Sequence, residues 1–343
     1  MFSRCGKLTC SACFAGRTIN RSVDTMANSF PLSPFAPPQG SMPFAGIAKF
    51  AGYPLWQSGQ KADAVVLGIP YDEGTTYRPG ARFGPRAIRD ASMFYSYDKQ
   101  QDRFYDADRR KWILSKKTIA DAGDVAIEPL SREKNWQAIT RAVESVCEAG
   151  AIPAILGGDH SITYPVIKAF ENQSFHYVHF DTHADCDQVY GFESMHTHGS
   201  PVVHIMEKGL AESITIIGVR GLTNSGHDIF RIEQQGVRII TARQLRNLLL
   251  QPTGDLFEHG SYYISTDIDF FDPSAAPGTG TPEPGGLFFP DFSDVVHLIA
   301  AQGPIVGFDV VEVSPLLDGR GANTAHLAAR CVLELLSAAL DSA

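Results

Sequence analysis

The stretch "FHYVHFDTHADCD", Phe175–Asp187, is an apolar run that gives way at Asp181 to acids and a histidine. So short a run, apolar on both faces and ended by an aspartate, reads as a buried parallel strand. The same form recurs from residue 62 onward in "ADAVVLGIPY", "AIPAILGG", "SITIIGVRG", "VRIITA", "YYISTDID" and "PIVGFDVVEVSP". Amphipathic helices lie between these runs. "WQAITRAVESVCEAG" puts Trp136, Ile139, Val143, Val146 and Cys147 on one face and stops at Gly150. A C-terminal helix starts at Asn323 as its N-cap and places Ala328, Cys331, Val332 and Leu335 at helical spacing. Strand and helix in alternation predict an α/β fold, a parallel sheet with helices on both faces and right-handed crossovers. Ligands of such sheets bind at the carboxyl ends of the strands, so polar residues there are the ones that matter.

Composition narrows the function. The chain has 343 residues, 44% of them hydrophobic, and a net charge of -9. That balance excludes nucleic acid as a partner and favours cationic ligands. No apolar stretch nears the ~20 residues that span a bilayer, so no membrane insertion is expected. Cys5, Cys10, Cys13, Cys147, Cys186 and Cys331 form no disulfide framework, which fits a reducing, cytoplasmic compartment. Cys10 and Cys13 make a lone C-x-x-C with no second pair to complete a metal site. Residues 1–35 read as a disordered or targeting extension, and 36–343 as one catalytic domain without internal repeat. Arg4, Lys7, Arg17 and Arg21 precede the first acid, Asp24, as in a mitochondrial transit peptide. The other reading is a plain extension with Met26 as the working start.

Three strand ends carry ionisable residues. In "HFDTHADCD", Asp181, His183 and Asp185 stand at i, i+2 and i+4, where a continued strand would point all three to one side. Buried carboxylates that close repel unless a cation sits between them. Hard oxygen ligands with a neutral imidazole suit Mn²⁺, and Zn²⁺ or Ni²⁺ less specifically. A loop of surface acids is the alternative, and the apolar lead-in opposes it. In "STDIDFFDPSAAPGTGTPEPGG", Ser265–Gly286, Asp267 and Asp269 again share a face, while Asp272, before Pro273, caps a turn. In "ILGGDHSI", Asp159 and His160 follow two glycines; alone this reads as an Asx turn with a hydrogen-bonded histidine. Together His160, Asp181, His183, Asp185, Asp267 and Asp269 exceed what one divalent ion balances. Two metals with shared carboxylates and an activated water follow.

"GGDHS", D-x-H-x-D and S-x-D-I-D-x-x-D-P-x-x-A-P-G-T-G-T-P-E-P-G-G, in this order, resemble the ureohydrolases, the arginase and agmatinase family. "GIPYDEGTTYRPGARFGPRAIR", Gly68–Arg89, is similar to that family's N-terminal segment, so the resemblance covers roughly residues 60 to 335. Its "RPGARFGP" has no phosphate-loop spacing and reads as structural, with Pro85 opening a helix. The resemblance implies a three-layer α/β/α fold with a mostly parallel sheet of about eight strands. It implies two Mn²⁺ per subunit, with Ni²⁺ as the alternative. His160, Asp181, Asp185 and Asp267 would hold one ion, and Asp181, His183, Asp267 and Asp269 the other, with Asp181 and Asp267 bridging. It further implies that hydroxide attacks a guanidinium carbon to release urea and an amine, with Asp185 passing a proton to the amine. In "HTHGSPV", His198 would shuttle protons, with His196 as the second candidate. Glu312 in "GFDVVEVSP" would grip the guanidinium; a salt bridge to an arginine such as Arg320 is the structural alternative. A homo-oligomer, trimer or hexamer, is also implied.

Asp187 stands where arginases typically carry an asparagine for the substrate's α-carboxylate. An acid there would repel a carboxylate and attract an amine. "TPEPGG", with Glu283, resembles agmatinases, and also guanidinobutyrases and other relatives, so it narrows the class without choosing within it. The expected substrate is therefore small, cationic and guanidino-bearing: agmatine, cleaved to putrescine for polyamine biosynthesis. Guanidinobutyrate, guanidinopropionate and free guanidine are the alternatives. Thr182 and the loop "CDQVYGFESMHTH" depart from the family pattern. A non-catalytic relative would have lost a ligand, and a single-Zn²⁺ deacetylase would lack the set that His160 and Asp269 complete.

Overall fold

A computed structural model describes residues 43–44, 46–97, 104–187, 196–250 and 256–341. Its strands are β1 (Ala64–Gly68), β2 (Phe104–Asp106), β3 (Lys111–Ile113), β4 (Ile119–Asp124), β5 (Ile152–Leu156), β6 (His176–Phe180), β7 (Ser213–Val219), β8 (Arg238–Thr241), β9 (Tyr262–Asp267) and β10 (Ile305–Val311). Its helices are α1 (Gly84–Ser92), α2 (Arg132–Glu148), α3 (Thr163–Lys168), α4 (Pro201–Glu207), α5 (Gly226–Gln234), α6 (Ala242–Leu250), α7 (Phe289–Ala300) and α8 (Asn323–Asp341). Eight strands form one sheet in the order β4-β1-β5-β10-β9-β6-β7-β8, with every neighbouring pair parallel. β2 and β3 form a separate antiparallel hairpin.

Alternation along the strands builds two apolar layers. Val178 and Phe180 of β6 pack with Ile88 of α1, Leu245 of α6, Val295 of α7 and Val332 of α8. On the other face Tyr177 packs with Ile139 and Val143 of α2, Val166 of α3, Val202 of α4 and Ile232 of α5. A buried side chain of this size contributes roughly 1.5–3 kcal/mol, which is why the central strands tolerate few polar residues. The fold is thus the expected three-layer α/β/α sandwich. Among the described residues no helix is long and apolar enough to cross a membrane. The N-terminal extension and its cysteine pair lie outside the described residues.

Local expectations needed correction in three places. β4 and the β2–β3 hairpin were not visible as apolar runs; β4 reads "IADAGD", too small and acidic to announce a strand. Asn323 is the first helical residue of α8 and not its cap. The carboxylate that receives the first amides is Asp318 Oδ2, 2.9 Å from Thr324 N and 3.4 Å from Ala325 N. Finally, β6 ends at Phe180, so Asp181, His183 and Asp185 do not share a strand face. They converge through a bent segment in which Asp185 takes the left-handed conformation, φ +43°. Asp269 likewise sits in a 3-10 turn, Ile268–Phe270, just beyond Asp267.

Candidate metal centre

The order β5-β10-β9-β6 runs through the middle of the sheet, and the carboxyl end of each of these strands delivers part of one site. β5 leads to Asp159 and His160, β10 to Glu312, β9 to Asp267 and Asp269, and β6 to Asp181, His183 and Asp185. His160, Asp181, Asp267, Asp269 and Glu312 are all at most 3% exposed. Burying so many acids is costly unless their charge is matched.

Two groups of converging donor atoms form there: His160, His179, Asp181 and Asp185, and then Asp181, His183 and Asp269. Among the described residues only Asp181 belongs to both. His160 Nδ1 lies 3.1 Å from Asp181 Oδ2, 3.0 Å from Asp185 Oδ2 and 3.3 Å from Asp267 Oδ2. Yet His160 Nδ1 and Asp181 Oδ2 form no directed hydrogen bond, and neither does His179 Nε2, 3.0 Å from the same oxygen. Lone pairs that meet at hydrogen-bond distance without bonding one another fit a shared cation. In the second group His183 Nδ1 is 3.4 Å from Asp181 Oδ1 and 3.2 Å from Asp269 Oδ2. Five of the six residues expected from sequence thus fall in these two groups; Asp267, expected to bridge, falls in neither and is joined to them through His160. Asp267 sides with the first group through Oδ2, while its Oδ1 accepts the Asp269 amide at 2.8 Å.

The surrounding hydrogen bonds orient these ligands. His160 Nε2 is 2.8 Å from Ser265 Oγ, which donates at 2.6 Å to the fully buried Asp309. Tyr263 and Thr163 also donate to Asp309, at 2.8 and 3.1 Å. His179 stacks on His160 with centroids 4.4 Å apart, and its Nδ1 meets the Tyr177 hydroxyl at 2.8 Å. His179, Ser265 and Asp309 were missed in the sequence. The signal was available: His179 and Ser265 each stand two positions before an expected ligand, so strand alternation turns them to the same side.

Glu312 and His198 form a second unit beside the first. Glu312 Oε1 accepts the His160 amide at 2.9 Å and His198 Nδ1–H at 3.0 Å. His198 Nε2 faces the Thr76 amide at 3.1 Å and the Thr76 hydroxyl at 2.8 Å. Burial opposes charge on His198, but Glu312 outweighs it and pushes the imidazole up to about 9. Glu312 is left-handed, φ +63°, a costly conformation for a residue with a side chain and one that concentrates at working sites. The Glu312 hydrogen bonds above go to His198 and to the His160 amide, not to Arg320. His196 is elsewhere, between Trp136 at 4.2 Å and His204 at 3.9 Å between ring centroids. Asp187, the last described residue before the loop that leads to His198, donates its amide to Gly199 O at 2.9 Å. Its carboxyl is raised by burial and by Asp228, and senses His183 and His198. The loop between Asp187 and His196 lies outside the described residues. Asp272 caps its turn as expected, accepting Ser274, Gly285 and Gly286 amides at 2.9–3.0 Å.

Comparison with known proteins matches residues 62–337 to the Arginase family. The chain belongs to this family. It is 34% identical to a guanidinopropionase of Pseudomonas aeruginosa, over 88% of this chain and 94% of the relative. It is equally 34% identical to a mitochondrial agmatinase of Gallus gallus, over 85% of both chains. The solved structure of proclavaminate amidinohydrolase from Streptomyces clavuligerus superposes with a TM-score of 0.79 at 33% identity, covering 88% of this chain and all of that one. As an arginase-family protein it is a hydrolase of guanidino compounds, of a fold that carries a binuclear metal site.

Protons and cations compete for this arginase-family site. Burial first, and then Asp181, push Asp185 up to about 7; Asp267 is raised well above the carboxylate range by burial and Asp269. Burial opposes charge on His183, but Asp269 and Asp181 push it up to about 12. Protons held there at neutral pH must leave when cations enter. Affinity for divalent cations is therefore expected to rise steeply as pH increases through about 7. Calorimetry in buffers of different ionisation enthalpy should show protons released; a pH-independent affinity would contradict this.

Proposed function

We propose that the protein is a binuclear manganese amidinohydrolase that releases urea from agmatine, leaving putrescine. The observation that carries the hydrolytic reading is Glu312 set against His160, with one oxygen held by two donors and the other turned toward Gly280. A carboxylate so fixed can receive the planar guanidinium fork with its remaining oxygen and present the central carbon to the metal groups. His160, Asp181, His183, Asp185, Asp267 and Asp269 fit two divalent cations by donor type and convergence. Bound there, Mn²⁺ would supply Lewis-acid polarisation and an activated water; Ni²⁺ is the alternative ion.

The chain's own groups complete the reaction. Glu312 orients the guanidinium and prevents its rotation. Asp185, beside both His160 and Asp181, gives a proton to the departing nitrogen, without which the amine leaves poorly. His198, tied to Glu312 on one nitrogen and to Thr76 on the other, exchanges that proton with solvent. The neutral or charged state of His198 is set by opposing influences. The Thr76 amide aimed at Nε2 favours the neutral ring, whereas Glu312 favours the charged one.

Agmatine is chosen over guanidino acids because Asp187, which lies beside Gly199 and within the electrostatic reach of His183 and His198, would attract an ammonium tail. Arg78, whose backbone packs beside Gly280, is committed to the carbonyls of Gly280 and Thr279 at 2.8 and 3.2 Å. The test is urea release from agmatine, guanidinobutyrate, guanidinopropionate, arginine and guanidine after loading with Mn²⁺ or Ni²⁺. Agmatine should be preferred, and no urea from any of them would refute the proposal. Asp187→Asn should lower kcat/KM for agmatine about fivefold relative to guanidinobutyrate, the scale of an exposed ion pair. Unchanged selectivity would remove Asp187 from the argument.

A further inference from the structure

Arg220 follows the last residue of β7 and turns its side chain back under the Asp267–Asp269 turn. All three of its nitrogens donate, and every acceptor is a backbone carbonyl. Nη2 reaches Asp269 O at 2.7 Å, Phe271 O at 3.2 Å and Glu283 O at 2.9 Å. Nη1 reaches Phe270 O at 3.0 Å and Gly218 O at 3.3 Å, and Nε reaches Glu283 O at 3.2 Å. One guanidinium thus ties together the end of β7, three consecutive carbonyls starting at Asp269 itself, and the "TPEPGG" loop.

The contact is tight on both sides. A Cβ on Gly218, whose φ is +111°, would come 2.6 Å from Asp181 O and 2.5 Å from the Phe270 ring. A Cβ on Gly286 would come 2.6 Å from Arg220 Nη2. Asp269 is consequently fixed at every polar atom of its backbone and on its carboxylate. Its carbonyl takes Arg220, its amide goes to Asp267 Oδ1 at 2.8 Å, and its Oδ2 accepts the Thr281 hydroxyl at 3.1 Å. That leaves the carboxylate aimed at His183 Nδ1, 3.2 Å away. A guanidinium is suited to this by its fixed fork of donors; a lysine ammonium, with donors on a single point, cannot reach five carbonyls.

We propose that Arg220 is a positioning residue for the second cation group, holding the Asp269 turn so that Asp269, His183 and Asp181 bind metal with full affinity. The proposal rests on the two-cation reading above. Metal-free wild type, Arg220→Lys and Arg220→Gln are each dialysed against Mn²⁺, with bound metal counted and the spin-coupled pair followed by electron paramagnetic resonance. Wild type should bind two ions. Both variants should keep one ion at wild-type affinity and bind the other at least about tenfold more weakly, losing the coupled signal in proportion. Two ions at wild-type affinity in a folded Arg220→Lys would overturn the role of Arg220 alone. One ion in wild type would overturn the two-cation reading and this proposal with it. If neither variant folds to the wild-type circular dichroism spectrum, Arg220 is a folding residue and the proposal also fails.

Discussion

Asp181→Ala is expected to empty both cation groups and to lower urea release at least about a thousandfold, ~4 kcal/mol of lost transition-state stabilisation. Asp181 is singled out because it belongs to both groups. Its Oδ2 meets His160 and His179 at 3.1 and 3.0 Å, and its Oδ1 meets His183 at 3.4 Å. Burial opposes its charge, but the three histidines hold it well below the usual carboxylate range, which favours the ionised form that binds a cation. Removing it leaves the imidazoles facing a gap and the remaining acids without their common bridge. The side chain lies past the end of β6, outside the apolar layers, so the fold should persist. Metal content and urea release, measured on the same folded sample, check this. Full metal content with full activity would contradict it.

Glu312→Gln is expected to spare both cations and still cost about 2–5 kcal/mol in kcat/KM, roughly 30- to 5,000-fold. Glutamine keeps the shape and can still accept from the His160 amide and from His198. What it loses is the charge that receives a guanidinium. A second consequence separates this from general damage. Glu312 is the main charge raising His198 to about 9, so in the variant that pKa should fall toward the ordinary histidine value. The limb of the pH–rate profile governed by His198 should move to lower pH by the same amount. Unchanged kinetics, or loss of metal, would contradict the assignment of Glu312 as the substrate's carboxylate.

The parts of the site that repeat a simple period were legible in the sequence. Short apolar runs ending in acids marked β5, β6, β9 and β10, and crowded like charges marked the cations they require. What was not legible has identifiable causes. The convergence of Asp181, His183 and Asp185 looked like strand alternation but depends on a bend with Asp185 left-handed, which no glycine announces. His179 was hidden inside the apolar run that identified β6. Arg220 acts only on backbone carbonyls, which leave no complementary side chain in the sequence to find. Asp318 caps α8 from six positions before Thr324, beyond the reach of local capping rules. β4 is made of small and acidic residues and gains its place by pairing with β1.

The most direct test of the central claim is the number of divalent ions bound per chain at saturation, counted on folded protein dialysed against Mn²⁺. Two ions per chain are expected, with urea release following occupancy of the second. Saturation at one ion per chain, with full activity, would contradict a site in which Asp181 joins two cations.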